Sequence, residues 1–243
     1  MKLTVLGNSN RYLSPLGTGV SYLLSAGDTH VVVDCANGTA ARLREILGDT
    51  LPAGLILPHH HPECLADALP VVRALPAEAP VLVPRGALPE VREALARAAG
   101  HHVRVLDFRE VSEGTEETVG ALRFRFARAR HGCAAVAFRA SANGSTLAWW
   151  GDTGYLPGLR AVAEDAGLLV AHTLLLDADG RGELAQTNLP AGEAARLAAQ
   201  SRVARLALAH VPFYEDAEAS LQEARRHFPG EVFVLAERGT YTV

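Results

Sequence analysis

Six consecutive residues, His59-His60-His61-Pro62-Glu63-Cys64, bring together three imidazoles, a carboxylate and a thiol. They follow an apolar stretch, Gly54-Leu55-Ile56-Leu57, that reads as a buried strand, and precede an Ala/Leu-rich stretch that reads as a helix. In an extended segment alternate side chains share a face, so His59 and His61 point one way and His60 the other. Two imidazoles on one side suit zinc, which takes His nitrogen, Cys sulfur and Asp/Glu oxygen. An exposed histidine-rich turn is the plainer alternative. A metal site built here needs further donors from other strand ends, so this stretch constrains the fold more than any other.

Strands are expected at residues 3–6, 20–24, 30–34, 55–57, 81–83 and 103–106, with Gly27-Asp28 as a tight turn between the second and third. Helices are expected at 40–47, 65–75 and 89–99; Pro70 puts a bend or a tight early turn in the second, and Pro89 opens the third. Residues 118–129 read as two strands, with Leu122, Phe124 and Phe126 alternating against Arg123, Arg125 and Arg128. Asn143-Gly144 marks a hairpin between 134–140 and 146–150. Strands at 168–176, 206–209 and 232–236 alternate with helices at 191–199 and 217–227, and a tail follows. Two β-rich halves flanked by helices predict a four-layer αββα sandwich, class α/β, forming one domain over residues 1–243. The hairpins at 118–150 count against a doubly wound parallel sheet.

The 243 residues suffice for a full core, and a net charge of −4 leaves no basic stripe for coating nucleic acid. No secretory leader or membrane-spanning run is visible, and three cysteines make no disulfide framework, so a cytoplasmic protein is expected. A homodimer is an assembly the sequence allows.

Four more polar residues close expected strands: His131, Asp152 in Trp150-Gly151-Asp152-Thr153-Gly154, Asp177 after Leu174-Leu175-Leu176, and His210 after Leu206-Ala207-Leu208-Ala209. Ligands at successive strand ends converge on one sheet edge, where an open cleft lies. Together with Leu6-Gly7, Val31-Val32-Val33-Asp34, the 59–67 stretch, Ala137-Phe138-Arg139 and Tyr155, these residues give a chain that resembles the metallo-β-lactamase superfamily, in its ribonuclease Z-like and phosphodiesterase-like branch.

That resemblance implies one metal held by His59, His61 and His131, with Asp152 bridging to a second metal bound by Glu63, Cys64 and His210. Zinc is the expected ion, with manganese or iron as alternatives. The implied activity is hydrolysis by a metal-bound hydroxide, with Asp152 and His210 as the candidate catalytic residues. The substrate would be a small-molecule or nucleotide-like phosphodiester, or less readily a lactone or thioester. Two departures stand out. The family pattern His-x-His-x-Asp-His is here His59-x-His61-x-Glu63-Cys64, and a histidine expected beside the 191–199 helix is Asn188. With no long tRNA-gripping stretch either, specific tRNA binding is not expected. Cys64 at a helix start should have a lowered thiol pKa. The rival reading is a non-catalytic relative with one metal or none, acting as a ligand-binding or interaction module.

Other residues have plainer readings. Asp34 reads as a loop-bracing carboxylate and His172 as a satisfied core histidine. Asp67 either supports the ligands or simply occupies a first helical turn. Trp149-Trp150 reads as core, Cys35 and Cys133 as small buried residues, and His60, His101, His102 and His227 as surface histidines.

Overall fold

The computed structural model describes residues 1–8, 19–99, 106–174, 176, 183–211 and 217–243. Strict alternation along the strands sorts side chains into layers. In β1 (Lys2–Gly7), β2 (Ser21–Ala26) and β3 (Thr29–Val33), residues Leu3, Val5, Tyr22, Leu24, Val31 and Val33 face an interior shared with a second sheet. Their neighbours Leu6, Leu23 and Val32 face helices on the other side. β4 (Gly54–Ile56), β5 (Pro80–Pro84), β6 (Asp107–Val111) and a short β14 (Thr240–Thr242) complete a sheet in the order β14-β1-β2-β3-β4-β5-β6.

The second sheet holds β7 (Glu116–Val119), β8 (Leu122–Arg128), β9 (Val136–Ala142), β10 (Ser145–Gly151), β11 (Leu168–His172), β12 (Arg205–Ala209) and β13 (Glu231–Val234), in the order β13-β12-β11-β10-β9-β8-β7. The adjacent tryptophans obey the same alternation: Trp149 enters the core between the sheets and Trp150 faces the outer helices. Helices α1 (Thr39–Leu47), α2 (Ala68–Arg73) and α3 (Leu88–Ala99) cover the first sheet. Helices α4 (Gly158–Ala163), α5 (Ala191–Gln200) and α6 (Ala217–Arg225) cover the second. The layers are therefore α, β, β, α.

Each sheet is antiparallel on one side and parallel on the other. β3 to β6 run parallel, as do β10 to β13. Parallel strands joined by outer helices all end on one edge, so the residues after β3, β4, β10, β11 and β12 are delivered to the same end of the molecule.

Several elements differ from the expectation. The strand expected at 103–106 falls largely outside the described residues, as do Asp177, His101 and His102; the described strand is β6. Its charged residues hid it: Arg109 pairs with Asp107 at 2.6 Å and with Glu117 at 2.8 Å, as suits an edge strand. The helix expected at 65–75 divides into a 3-10 turn, Pro62–Leu65, and α2, with Asp67 between them. Pro70 is tolerated there because the first helical N–H groups need no intrahelical acceptor. The strand expected to reach 176 stops at His172. α4, opening after Pro157, and β14, in the expected tail, were not foreseen. Among the described residues no helix is long and apolar enough to cross a membrane.

Phe138 stacks on Trp149 at 5.2 Å and 10° and meets Phe124 edge-on at 5.7 Å, all three buried between the sheets. Phe138→Ala should therefore lower unfolding free energy by about 3–5 kcal/mol, read as a fall in the urea midpoint with an unchanged slope.

Candidate metal centre

The segment carrying the first histidines is clamped on both sides. Leu57 N–H bonds Leu82 O at 2.9 Å in the first sheet, and Pro58 O accepts from Val136 N–H of the second at 3.0 Å. His59 leaves this clamp buried, and His61 follows in extended backbone as the residue preceding the 3-10 turn. From the second sheet His131 meets both: the three ring centroids lie 5.0, 5.0 and 4.8 Å apart, with His131 Nε2 3.2 Å from His61 Nδ1. His131 Nδ1 lies 3.0 Å from Thr187 O. A carbonyl can only accept, so Nδ1–H donates to it and Nε2 faces the cluster.

Burial pulls the His59 pKa down to about 3. Burial first, and then His131, also lower that of His61. A cation requires neutral imidazoles, and burial favours that form at His59 and His61.

Asp152 follows β10 through Gly151, whose φ of 59° turns the chain inward; a Cβ there would lie 2.0 Å from the Trp149 indole. Its Oδ1 accepts from His172 Nδ1–H at 2.8 Å, and its Oδ2 lies 3.6 Å from His210 Nε2 and 3.8 Å from His59 Nε2. Burial alone would raise its pKa, but His210, His172 and His59 outweigh that and hold it well below the usual carboxylate range. His172 in turn receives the Tyr22 hydroxyl at 3.0 Å. His172 is thus a contact of the cleft and not an inert core residue. The signal lay in the strand end: with β11 closing at residue 172, His172 occupies the same kind of position as His59 and His210.

A second group joins His59 to Asp34 and Cys64, with ligand atoms all within 4.8 Å of one another. Cys64 Sγ lies 3.2 Å from His59 Nε2. Asp34 is buried, and neither of its oxygens has a well-formed hydrogen bond, although the Cys64 thiol faces it. Among the described residues its side chain makes no well-formed hydrogen bond to a loop, in contrast to the sequence expectation. Glu63 stands apart, half exposed, with its carboxylate 4.0 Å from His61 Nδ1. The thiol of Cys64 is pushed up, by burial first and then by Asp34, where a helix start had suggested lowering; the element there is only a four-residue 3-10 turn. Asp67 plays a structural part, because its Oδ2 accepts from Ala40 N–H in the first turn of α1 at 3.1 Å. Asn188 donates to Leu184 O and Thr187 Oγ1 at 3.3 and 3.0 Å. Beside His131 a cleft of about 510 Å³ opens, lined in part by Arg85, Glu113, Arg128, Arg130 and Cys133.

Residues 29–211 match the family model described as Beta-lactamase superfamily domain. The chain belongs to the metallo-β-lactamase superfamily. It is 23% identical over 244 residues to Probable metallo-hydrolase YhfI of Bacillus subtilis, covering 96% of each chain. The crystal structure of that protein superposes with a TM-score of 0.86 at 22% identity, covering 99% of this chain and 98% of the other. Human tRNase Z, short form, superposes at 0.78 with 16% identity, covering 100% and 99%. Zn(2+)-bound PqqB from Methylobacterium extorquens superposes at 0.78 with 13% identity over the whole of both chains. The αββα layers expected from the sequence are the metallo-β-lactamase fold.

With its pKa near 3 against an ordinary 6.5, His59 stays neutral in the folded chain while the unfolded chain takes up a proton below 6.5. Its contribution is full above pH 6.5 and falls as pH drops toward 3, by up to about 1.4 kcal/mol per pH unit. Asp34, shifted upward, acts in the opposite sense above the ordinary carboxylate value, so the parent and the variant must be compared. In chelator-stripped protein His59→Asn should flatten the pH dependence of the urea midpoint between pH 6.5 and 4.

Proposed function

We propose that this chain is a zinc-dependent hydrolase acting on a phosphodiester in a small-molecule or nucleotide-like substrate. The observation that carries the reading is the convergence of His59, His61 and His131 next to a charged Asp152. Three nitrogens and a neighbouring carboxylate suit zinc in a site that keeps a position open. A zinc ion bound there supplies Lewis acidity, polarising the scissile group and bringing the pKa of water from about 15.7 toward about 7.

The protein's own groups do the rest. Thr187 O fixes the His131 ring, and the Tyr22–His172 pair fixes Asp152. His210, 3.6 Å from Asp152 Oδ2, is placed to pass a proton to the departing oxygen. Arg85, Arg128 and Arg130 on the cleft wall offer planar, charged donors for the anionic oxygens of a phosphodiester. Similarity to tRNase Z is consistent with that bond type. Processing of tRNA is a different matter: Asn188 uses its amide within its own loop and has no proton to titrate.

Protein purified without added metal should contain zinc and hydrolyse bis(p-nitrophenyl) phosphate. His61→Ala should lose most of the metal and at least a hundredfold in turnover; full zinc retention at equal purity would overturn the site. Arg130→Ala should raise KM severalfold and leave kcat within about twofold. A precursor tRNA should remain uncut at protein concentrations that hydrolyse the small substrate, and specific cleavage would refute that limit.

A further inference from the structure

The Asp34–Cys64 pair has a geometry that the three-histidine cluster does not use. Asp34 closes β3 with φ at 63°, a left-handed conformation that turns its side chain into the interior. Both oxygens are buried without a well-formed hydrogen bond. The pairing is held by backbone on either side: Cys35 N–H bonds Cys64 O at 3.1 Å, and Asp67 N–H bonds Cys35 O at 2.8 Å. These two bonds fix the end of β3 against the 3-10 turn, so the approach of carboxylate to thiol is built into the fold.

We propose that Asp34 and Cys64, in place of Glu63, donate to a second cation site beside the three-histidine cluster, one that takes a borderline divalent ion such as zinc. The proposal rests on the reading of the cleft as a metal-dependent hydrolase centre. The donor atoms of Asp34 and Cys64 lie within 4.8 Å of each other, and Cys64 Sγ, 3.2 Å from His59 Nε2, borders the three-histidine cluster. Glu63 is turned to the outside of the turn, toward His61, so an extra methylene cannot bring it back to the thiol. His59 belongs to both ligand groups, yet one imidazole nitrogen binds one ion. With both sites filled, His59 stays with His61 and His131, and the second ion depends on Asp34 and Cys64. Binding forms a metal–sulfur bond and breaks the S–H bond, and the proton leaves to solvent. No oxidation state changes.

The test is titration of chelator-stripped protein with cobalt(II), read by thiolate-to-cobalt charge-transfer absorption and by metal-to-protein ratio. The parent should show the band and bind a second equivalent. Asp34→Asn, chosen because asparagine tolerates positive φ, and Cys64→Ser should each lose the band and weaken the second equivalent at least tenfold while keeping the first. Glu63→Gln should keep both, and His61→Ala should weaken the first equivalent and keep the band. No band in the parent, a full band in Asp34→Asn, or loss of the band in Glu63→Gln would each overturn the proposal. Near-ultraviolet circular dichroism of each variant separates lost ligation from lost folding. Should the parent bind one equivalent and hydrolyse the phosphodiester without the band, this proposal fails and the hydrolase reading stands; absence of both binding and hydrolysis defeats that reading itself.

Discussion

A carboxylate withdrawn from water resists ionisation unless positive or hydrogen-bonding groups surround it, and Asp152 meets that condition through imidazoles on three different strand ends. His172 donates to one oxygen, while His210 and His59 face the other. None of these contacts can form unless β4, β10, β11 and β12 finish at one edge. The parallel halves of the two sheets satisfy that requirement, and the antiparallel halves do not share in it. Tyr22, from the first sheet, reaches across the core to His172 of the second, so the orientation of Asp152 also depends on how the sheets are packed. The site is therefore a consequence of the sandwich and not an ornament on its loops.

Strained backbone is found at the same edge. Asp34 and His210 both sit at positive φ just after parallel strands, and Gly151 does so just before Asp152. Such conformations persist only where neighbouring structure holds them. At His210 the holding group is Asn8, whose Oδ1 accepts the His210 N–H at 3.1 Å while its amide donates to Leu235 O at 2.7 Å. Gly154 serves similarly: its backbone lies against Gln186, where a Cβ would come within 2.0 Å of the carbonyl oxygen. That close approach brings the 151–154 loop against the segment whose Thr187 carbonyl orients His131.

Much of this was legible because it follows from alternation and from strand ends. Val31-Val32-Val33, Leu147 to Trp150 and the Phe124/Phe126 face predicted the layers, and Asn143-Gly144, both at positive φ, predicted the hairpin. His59, His61, His131, Asp152 and His210 were visible as polar residues closing apolar runs. Asp34 and His172 were equally visible but had plausible quiet roles, since local sequence does not say what a buried polar group faces. Edge elements escaped for another reason: β6 is charged and β14 is three residues long, so neither shows the apolar pattern that marks a central strand. The helix expected at 65–75 follows from the Ala and Leu that dominate those residues, whereas Pro62 opens a 3-10 turn and the Asp67 contact to α1 sets a break before α2.

The charge layout of the cleft also bears on whether the chain is a catalyst or a passive binder. Arginines line the wall near His131, burial keeps His59 and His61 toward the neutral form, and Asp152 is charged. An anion drawn in by Arg85, Arg128 and Arg130 would be repelled by that carboxylate. A pocket meant only to hold an anion would gain nothing from such a charge, and the Tyr22–His172 pair that keeps it in place would be unexplained. With a cation among the three histidines the same carboxylate becomes favourable, since it stabilises the ion while the arginines position the anion on the opposite side. The arrangement is coherent when a metal is bound and self-opposed when it is not, which favours a metal centre over a metal-free anion pocket.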